Sequence, residues 1–210
     1  MYAVRCQGRA PWTSRFVKRE VTWDPGLLAR YPFSEGIGAV ATDASGYLHN
    51  GTIEGATWTT GMTGSSLLFD GVNDYISLGD PTALKPANLS VSLWFKTTAT
   101  SGVLLRKRWY GYGLNMKSTG GVGFFVYNAS GTKFEAVSTR AYNNNAWHHV
   151  TGTYDGPRVR LYVDGAAVAN VSAGPIYYGT GAIAIGRDGD AAAGYFNGSI
   201  DDARVYGRAL

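Results

Sequence analysis

The feature that most constrains this chain is a series of turn-forming pairs along it: Ser45-Gly46, Asn50-Gly51, Asp70-Gly71, Asp155-Gly156, Asp164-Gly165, Asp188-Gly189 and Asn197-Gly198. Each sets a residue that tolerates left-handed backbone beside one that prefers it, so each marks a reversal of an extended chain. Between them lie short runs rich in β-branched and aromatic residues, too short for helices. In Leu89–Lys96 the residues Leu89, Val91, Leu93 and Phe95 fall on one side, and Ser90, Ser92, Trp94 and Lys96 on the other. Residues 147–154 and 157–163 predict a hairpin around Asp155-Gly156, and Asp164-Gly165 turns the chain into 166–171. Runs at 66–69, 75–78, 102–106, 112–116, 122–127, 132–137 and 182–186 extend the pattern. That is more strand than an immunoglobulin-type sandwich needs, and the expected fold is all-β, a jelly-roll β-sandwich of two curved antiparallel sheets.

The two ends belong together. Residues 27–36 have strand character and lead to an acidic loop at 43–51, while Ile200, Ala203, Val205 and Tyr206 surround the adjacent carboxylates of Asp201 and Asp202. Neighbouring carboxylates repel unless a cation or solvent lies beside them. The first and last strands are therefore expected to pair, with the acidic groups clustered at one end of the pair.

A chain of 210 residues can bury one sizeable core, and nothing in it demands a second. Of its net charge of +4, most sits in the first 24 residues, where Arg5, Arg9, Arg15, Lys18 and Arg19 face only Glu20 and Asp24. Residues 1–26 read as a basic N-terminal extension and 27–210 as the domain. The domain itself is nearly neutral, so no nucleic-acid partner is expected. Cys6, the single cysteine, excludes an intrachain disulfide. No apolar run has the length of a membrane span, so no membrane insertion is expected, and the first residues lack a signal-peptide core. Either an export segment has been removed or the chain is part of something larger.

The order of the motifs carries a resemblance. Leu28-Ala-Arg-Tyr-Pro-Phe-Ser-Glu-Gly, Asp43-Ala-Ser-Gly, Asn50-Gly-Thr, Leu68-Phe-Asp-Gly-Val-Asn-Asp-Tyr75, Ser92-Leu-Trp-Phe-Lys, Ala146-Trp-His-His-Val, Leu161-Tyr-Val-Asp-Gly and Phe196-Asn-Gly-Ser-Ile-Asp-Asp-Ala-Arg-Val-Tyr together resemble the laminin-G-like domains of the concanavalin A-like lectin and glucanase superfamily. The resemblance covers residues 27–210. It implies a jelly roll with one concave face, used mostly by carbohydrate-binding modules or adhesive domains of secreted and cell-surface proteins, often within a larger multidomain chain. It also implies a structural Ca²⁺, with Asp43 and Asp201 as carboxylate ligands, Asn50 as an amide or carbonyl ligand and Gly46 as a carbonyl donor, Asp202 replacing Asp201 if the register shifts.

Enzymes occur on this fold, so the catalytic patterns matter. Glucanases of the superfamily carry paired acids in Glu-x-Asp-x-x-Glu or Glu-x-Asp-x-Glu. None of Glu20, Glu35, Glu54 and Glu135 lies in such a motif. A polysaccharide lyase needs a His or Tyr base and a neutralising Arg; His148, His149, Tyr110, Tyr112, Arg106 and Arg140 supply the ingredients without the arrangement. The three histidines have no zinc-ligand spacing. Binding remains: a sugar buries its C–H face on aromatic rings and gives its hydroxyls to amides and charges. The candidate residues are Arg106, Arg108, Trp109, Tyr110 and Tyr112 in one stretch, Arg140, Tyr142 and Asn144 in a second, and Arg187 in a third. Their cations favour an anionic polysaccharide. The leading reading is a non-catalytic glycan-binding module; a small lyase or glycosidase and an adhesive or spacer domain are the alternatives.

Overall fold

The computed structural model describes residues 24–210, so all but the end of the basic extension lies outside the described residues. Two antiparallel sheets of eight strands pack face to face. Numbered in chain order, the first sheet runs β14 (Ala166–Ser172), β13 (Arg158–Val163), β12 (His148–Tyr154), β7 (Leu89–Lys96), β16 (Asn197–Tyr206), β5 (Ser65–Asp70) and β4 (Thr57–Thr60), with β1 (Leu27–Tyr31) also paired to β16. The second runs β11 (Lys133–Val137), β10 (Val122–Tyr127), β9 (Tyr112–Met116), β8 (Val103–Lys107), β15 (Ile183–Ile185), β6 (Tyr75–Gly79), β3 (Gly51–Glu54) and β2 (Val40–Ala41). The only helix among the described residues is one 3-10 turn, Thr82–Leu84.

The expected joining of the chain ends is present. The last part of β16 pairs with β1, Ala29 opposite Val205 and Tyr31 opposite Ala203, while its first part pairs with β5 and its other edge with β7. Where β16 passes from β5 to β1 its register shifts between Asp201 and Arg204, and Asp202 takes a φ of 43°. The bulge sends the two carboxylates to different partners. Asp201 is buried and accepts N–H bonds from Met62 (2.9 Å) and Thr63 (3.3 Å), whereas Asp202 pairs with Arg30 (2.9 Å) and Arg204. Burial pushes the Asp201 carboxyl above its ordinary value. Burial also pushes Asp202 up, but hydrogen bonds from Arg204 and Arg30 outweigh it and hold that carboxyl low.

The alternating residues of β7, β12 and β13 meet those of β9 and β10 in one core that includes Leu93, Phe95, Val150, Leu161, Leu114 and Phe124. Strand β12 carries Gly152 where it crosses Phe124, and a methyl there would collide with the ring. Close approach of the sheets at this point needs a residue without a Cβ.

Candidate functional site

Alternation decides what the outward face of the second sheet carries. In β9, Tyr112, Leu114 and Met116 enter the core, so Gly113 and Asn115 face out. The cross-strand register adds Gly123, Phe125 and Tyr127 of β10, Lys133, Glu135 and Val137 of β11, and Arg106 of β8 to the same face. The two glycines leave gaps that longer neighbours fill. A Cβ at Gly113 would lie 2.6 Å from Phe125 Cζ and 3.2 Å from Arg106 Cγ; one at Gly123 would lie 2.7 Å from Lys117 Cε, 2.9 Å from Glu135 Oε1 and 3.3 Å from Asn115 Oδ1. Phe125 is therefore only 2% exposed although it faces out. Arg106 and Lys133 cover it, 5.4 and 4.2 Å from its ring centroid.

The cations of this face already have carboxylates. Arg106 Nη1 pairs with Asp188 Oδ2 at 2.7 Å, Lys133 with Glu135 at 2.9 Å, and Lys117 also with Glu135. That compensation removes most of the charge argument for an anionic ligand. Three polar atoms here are buried with no hydrogen-bond partner among the described residues: Arg106 Nε, Asn115 Oδ1 and Asp188 Oδ1. An unmade buried hydrogen bond costs about 1–3 kcal/mol, and these atoms, one donor and two acceptors, lie closed to solvent beneath a single face. The other buried side-chain atoms without a partner, Glu35 Oε2, His49 Nε2 and Thr153 Oγ1, lie in the 35–49 region and on the first sheet.

The residues expected from sequence divide between the two ends of β9. At the β8–β9 tip stand Arg108, Trp109 and Tyr110, near Arg106, with the 187–190 segment alongside: Arg108 pairs with Asp190 at 3.1 Å, and Arg187 lies 3.3 Å from the Tyr75 ring centroid. At the opposite end, Tyr142 N–H donates to Gly120 O at 2.8 Å, which fixes Arg140, Tyr142 and Asn144 beside the β9–β10 turn. A five-residue strand spans about 15 Å, so these are two groups and not one site. Two expected ligand residues are core. Tyr112 is fully buried with its hydroxyl donating to Leu84 O at 3.1 Å, and Tyr142 is 6% exposed with its ring edge-on to His148 at 5.1 Å. Each follows the inward alternation or the packing of its loop, so neither ring can meet a ligand. Asn144 accepts from Ala146 N–H at 3.0 Å and meets His148 Nε2 at 2.9 Å, a loop-fixing role. Sequence reasoning missed Asn115 and Glu135, although the alternation of 112–116 already put Asn115 outside.

The tip has unusual backbone. Trp109 and Tyr110 have φ of 51° and 64°, and are 54% and 38% exposed. A non-glycine residue held in this region costs about 1–3 kcal/mol. The restraint comes from Lys107, the inward-facing end of β8, whose side chain is fully buried. Its Nζ donates to the carbonyls of Arg108 (3.2 Å), Gly179 (2.8 Å) and Gly181 and meets Asp80 Oδ1 at 3.2 Å. Burial pushes its pKa down while the Asp80 charge opposes that shift. An open groove of about 670 Å³ runs along 173–178 and shares Tyr178 with this rim. Its Tyr154 and Tyr178 hydroxyls donate to Gly174 O and Pro86 O, both at 2.8 Å, so neither hydroxyl lacks a partner.

The side-chain donors expected for calcium accept hydrogen bonds from the chain itself. Asp43 accepts from Arg30 N (3.0 Å), Ser45 N (2.8 Å) and His49 N (2.9 Å), and Asn50 Oδ1 accepts from Asp43 N at 2.9 Å. These bonds fold the 43–50 loop, which holds Gly46, on itself, while Asp201 is given to residues 62 and 63. Among the described residues no three acidic, His or Cys side chains converge as metal ligands. Asp43 and Asn50 thus give side-chain oxygens to the 43–50 loop and Arg30 N–H, Asp201 to residues 62 and 63, and Asp202 to two arginines.

Two eight-stranded sheets with a polar outward face and an aromatic rim place the chain in the lectin-like class of β-sandwiches. It belongs to the family described as the concanavalin A-like lectin/glucanases superfamily, in its laminin G form, which matches residues 70–210. Among solved structures it is similar to the binding domain of the Paraclostridial Mosquitocidal Protein 1, with TM-score 0.71 and 16% identity over 89% of this chain and 50% of that one. Domain 4 of AbnA, a GH43 extracellular arabinanase from Geobacillus stearothermophilus, in complex with arabinotriose, gives TM-score 0.70 and 20% identity over 88% and 94%. Domains LG4-5 of the mouse laminin alpha1 chain give TM-score 0.56 and 22% identity over 69% and 43%. The chain thus spans about half of the mosquitocidal and laminin structures and nearly all of the AbnA domain. No curated protein matches it significantly. Among the described residues no helix is long and apolar enough to cross a membrane.

Proposed function

We propose that this chain is a non-catalytic glycan-binding module of a larger secreted or surface protein, and that it holds a neutral polysaccharide on the outward face of the second sheet. The observation that carries the reading is the set of three buried, unpartnered polar atoms on that face, Arg106 Nε, Asn115 Oδ1 and Asp188 Oδ1. A sugar hydroxyl both donates and accepts, so hydroxyls admitted by movement of the side chains that cover these atoms would supply the partners they lack. Neutrality follows from the paired state of Arg106, Lys117 and Lys133. The acids of the face, Glu135 and Asp188, are themselves in ion pairs, which keeps both ionised and disfavours either as a general acid.

Arabinotriose and linear arabinan are the first probes, because a structural neighbour of the same extent binds the former. Titration calorimetry is expected to detect binding to the wild type, about tenfold weaker in Asn115→Ala, the equivalent of roughly 1.4 kcal/mol. Preference for a uronic-acid polymer over arabinan and other neutral glycans would overturn the neutral assignment. Release of unsaturated or reducing ends from any polymer would overturn the non-catalytic one.

A further inference from the structure

The geometry points to a second sugar subsite at the β8–β9 tip, where Trp109, flanked by the Arg108–Asp190 pair, stacks a ring of a chain already seated over Arg106, Asn115 and Asp188, and to Lys107 as the residue that positions it. This rests on the glycan-binding reading and extends it from a short ligand to a long one.

Trp109 is 54% exposed, Tyr177 45% and Tyr110 38%, and among the described residues Tyr47, at 46%, is the other aromatic ring exposed to that extent. The exposure is enforced. Trp109 and Tyr110 both lie in the left-handed region, which neither side chain prefers, and Trp109 O is tied to Gly179 N–H at 2.8 Å. Any Cβ at Gly179 would collide with that carbonyl, and one at Gly181 would lie 2.6 Å from Trp109 Cδ1, so glycine at both positions lets the 179–181 segment press against the tip. Lys107 closes the assembly from inside, bonded to carbonyls on both segments. A ring that merely lacked a place in the core would not be pinned by a buried ammonium and two glycines.

The occupant follows from what surrounds the ring. Arg108 places its guanidinium 4.5 Å from the Trp109 ring centroid and pairs with Asp190, while Tyr110 meets Tyr127 and Tyr177 edge-on at 5.8 and 5.7 Å. Indole offers an apolar surface to C–H groups, and the adjacent ion pair offers a donor and an acceptor to hydroxyls. The tip is continuous with the first subsite: Arg108, just past the end of β8, follows Arg106 by two residues, and their partners Asp190 and Asp188 are two apart on the facing segment. Saccharide fits this mixture better than an acyl chain, which would leave the ion pair without a role.

The test compares arabinotriose with arabinohexaose by titration calorimetry on the wild type, Trp109→Ala and Lys107→Met, with melting temperatures for each. The wild type is expected to bind the hexasaccharide at least tenfold more tightly than the trisaccharide. Trp109→Ala is expected to abolish that ratio while trisaccharide affinity stays within twofold. Lys107→Met, if it folds, is expected to abolish the ratio in the same way, and the double variant to lose nothing further, since the two act as one unit. A merely structural lysine would lower melting temperature and leave the ratio intact, which would overturn its positioning role. An unchanged ratio in Trp109→Ala would overturn the subsite while leaving the first subsite standing. Absence of binding to either sugar by the wild type would overturn both readings, and so would Trp109-dependent binding to phosphatidylcholine vesicles in place of sugar.

Discussion

Filling the gap at Gly123 should separate binding from folding more cleanly than removing any side chain. Gly123→Ala places a methyl 2.7 Å from Lys117 Cε, 2.9 Å from Glu135 Oε1 and 3.3 Å from Asn115 Oδ1. Non-bonded contacts are comfortable at about 3.5–4.0 Å between carbons, so Lys117 Cε must retreat by roughly 1 Å, Glu135 Oε1 by roughly half that, and Asn115 Oδ1 by a few tenths of an ångström. All three belong to side chains rather than backbone, two of them long and flexible, and the Lys117–Glu135 pair is only partly buried. Its weakening should cost no more than about 1 kcal/mol. Against that, alanine in a strand interior recovers about 0.5–1 kcal/mol over glycine. Stability should therefore be unchanged within about 1 kcal/mol, or about 2–4 °C in melting temperature for a chain of this size.

The ligand-facing geometry does not escape so lightly, because Asn115 Oδ1 and Glu135 move together. Arabinotriose affinity is expected to fall at least about tenfold, or 1.4 kcal/mol, in calorimetry, with thermal denaturation run on the same samples. Full affinity in a well-folded Gly123→Ala protein would refute the assignment of the site to this face. A collapse in melting temperature would instead refute the reasoning that the neighbours can yield.

The remaining expectations concern the chain ends, the first sheet and the core side of β9. Melting temperature should be equal in calcium and in chelator. Asp201→Asn should be near neutral, because it keeps an acceptor for Met62 and Thr63 while removing a charge that burial disfavours, whereas Asp201→Ala should cost about 1–3 kcal/mol; a calcium-dependent rise in melting temperature lost in Asp201→Asn would reinstate the metal. His149 has its pKa lowered by burial, with Arg204 adding to the shift and Asp202 and Asp164 opposing it. The unfolded chain therefore binds the proton more readily, and stability should fall as pH drops from 7.5 through the free-histidine value near 6.5; in His149→Gln that slope should shrink, and an unaltered slope would assign it to other groups. Tyr112→Phe should lose about 0.5–1.5 kcal/mol with its bond to Leu84 O and leave sugar affinity unchanged; a binding defect at full stability would return Tyr112 to the site.

The fold was legible where alternation was long enough to fix a face. Residues 89–96, 112–116, 122–127 and 158–163 read as strands because each repeats its apolar side at least twice, and the pairing of the chain ends followed from the composition of 27–31 and 200–206. Strands β2, β3 and β4 escaped notice: they are two to four residues long, and β4, the threonine-rich 57–60, is a sheet-edge strand that buries too little to leave a pattern. The site was harder for a different reason. Arg106 to Tyr112 looked like one loop of cations and rings, yet the strand boundaries within it send Lys107 and Tyr112 inward and leave Arg106, Trp109 and Tyr110 outside. Sequence adjacency showed which residue types were available, but a face is assembled across strands. Asn115 meets Gly123 and Arg106 meets Asp188, pairs separated by eight and 82 positions, and no local window contains the second. The same logic underlies the proposed ligand charge. Counting cations along the chain suggests an anionic polymer, whereas the fold returns Asp188, Asp190 and Glu135 to those cations, so this face carries little excess positive charge and keeps unmet hydrogen-bonding groups beneath it.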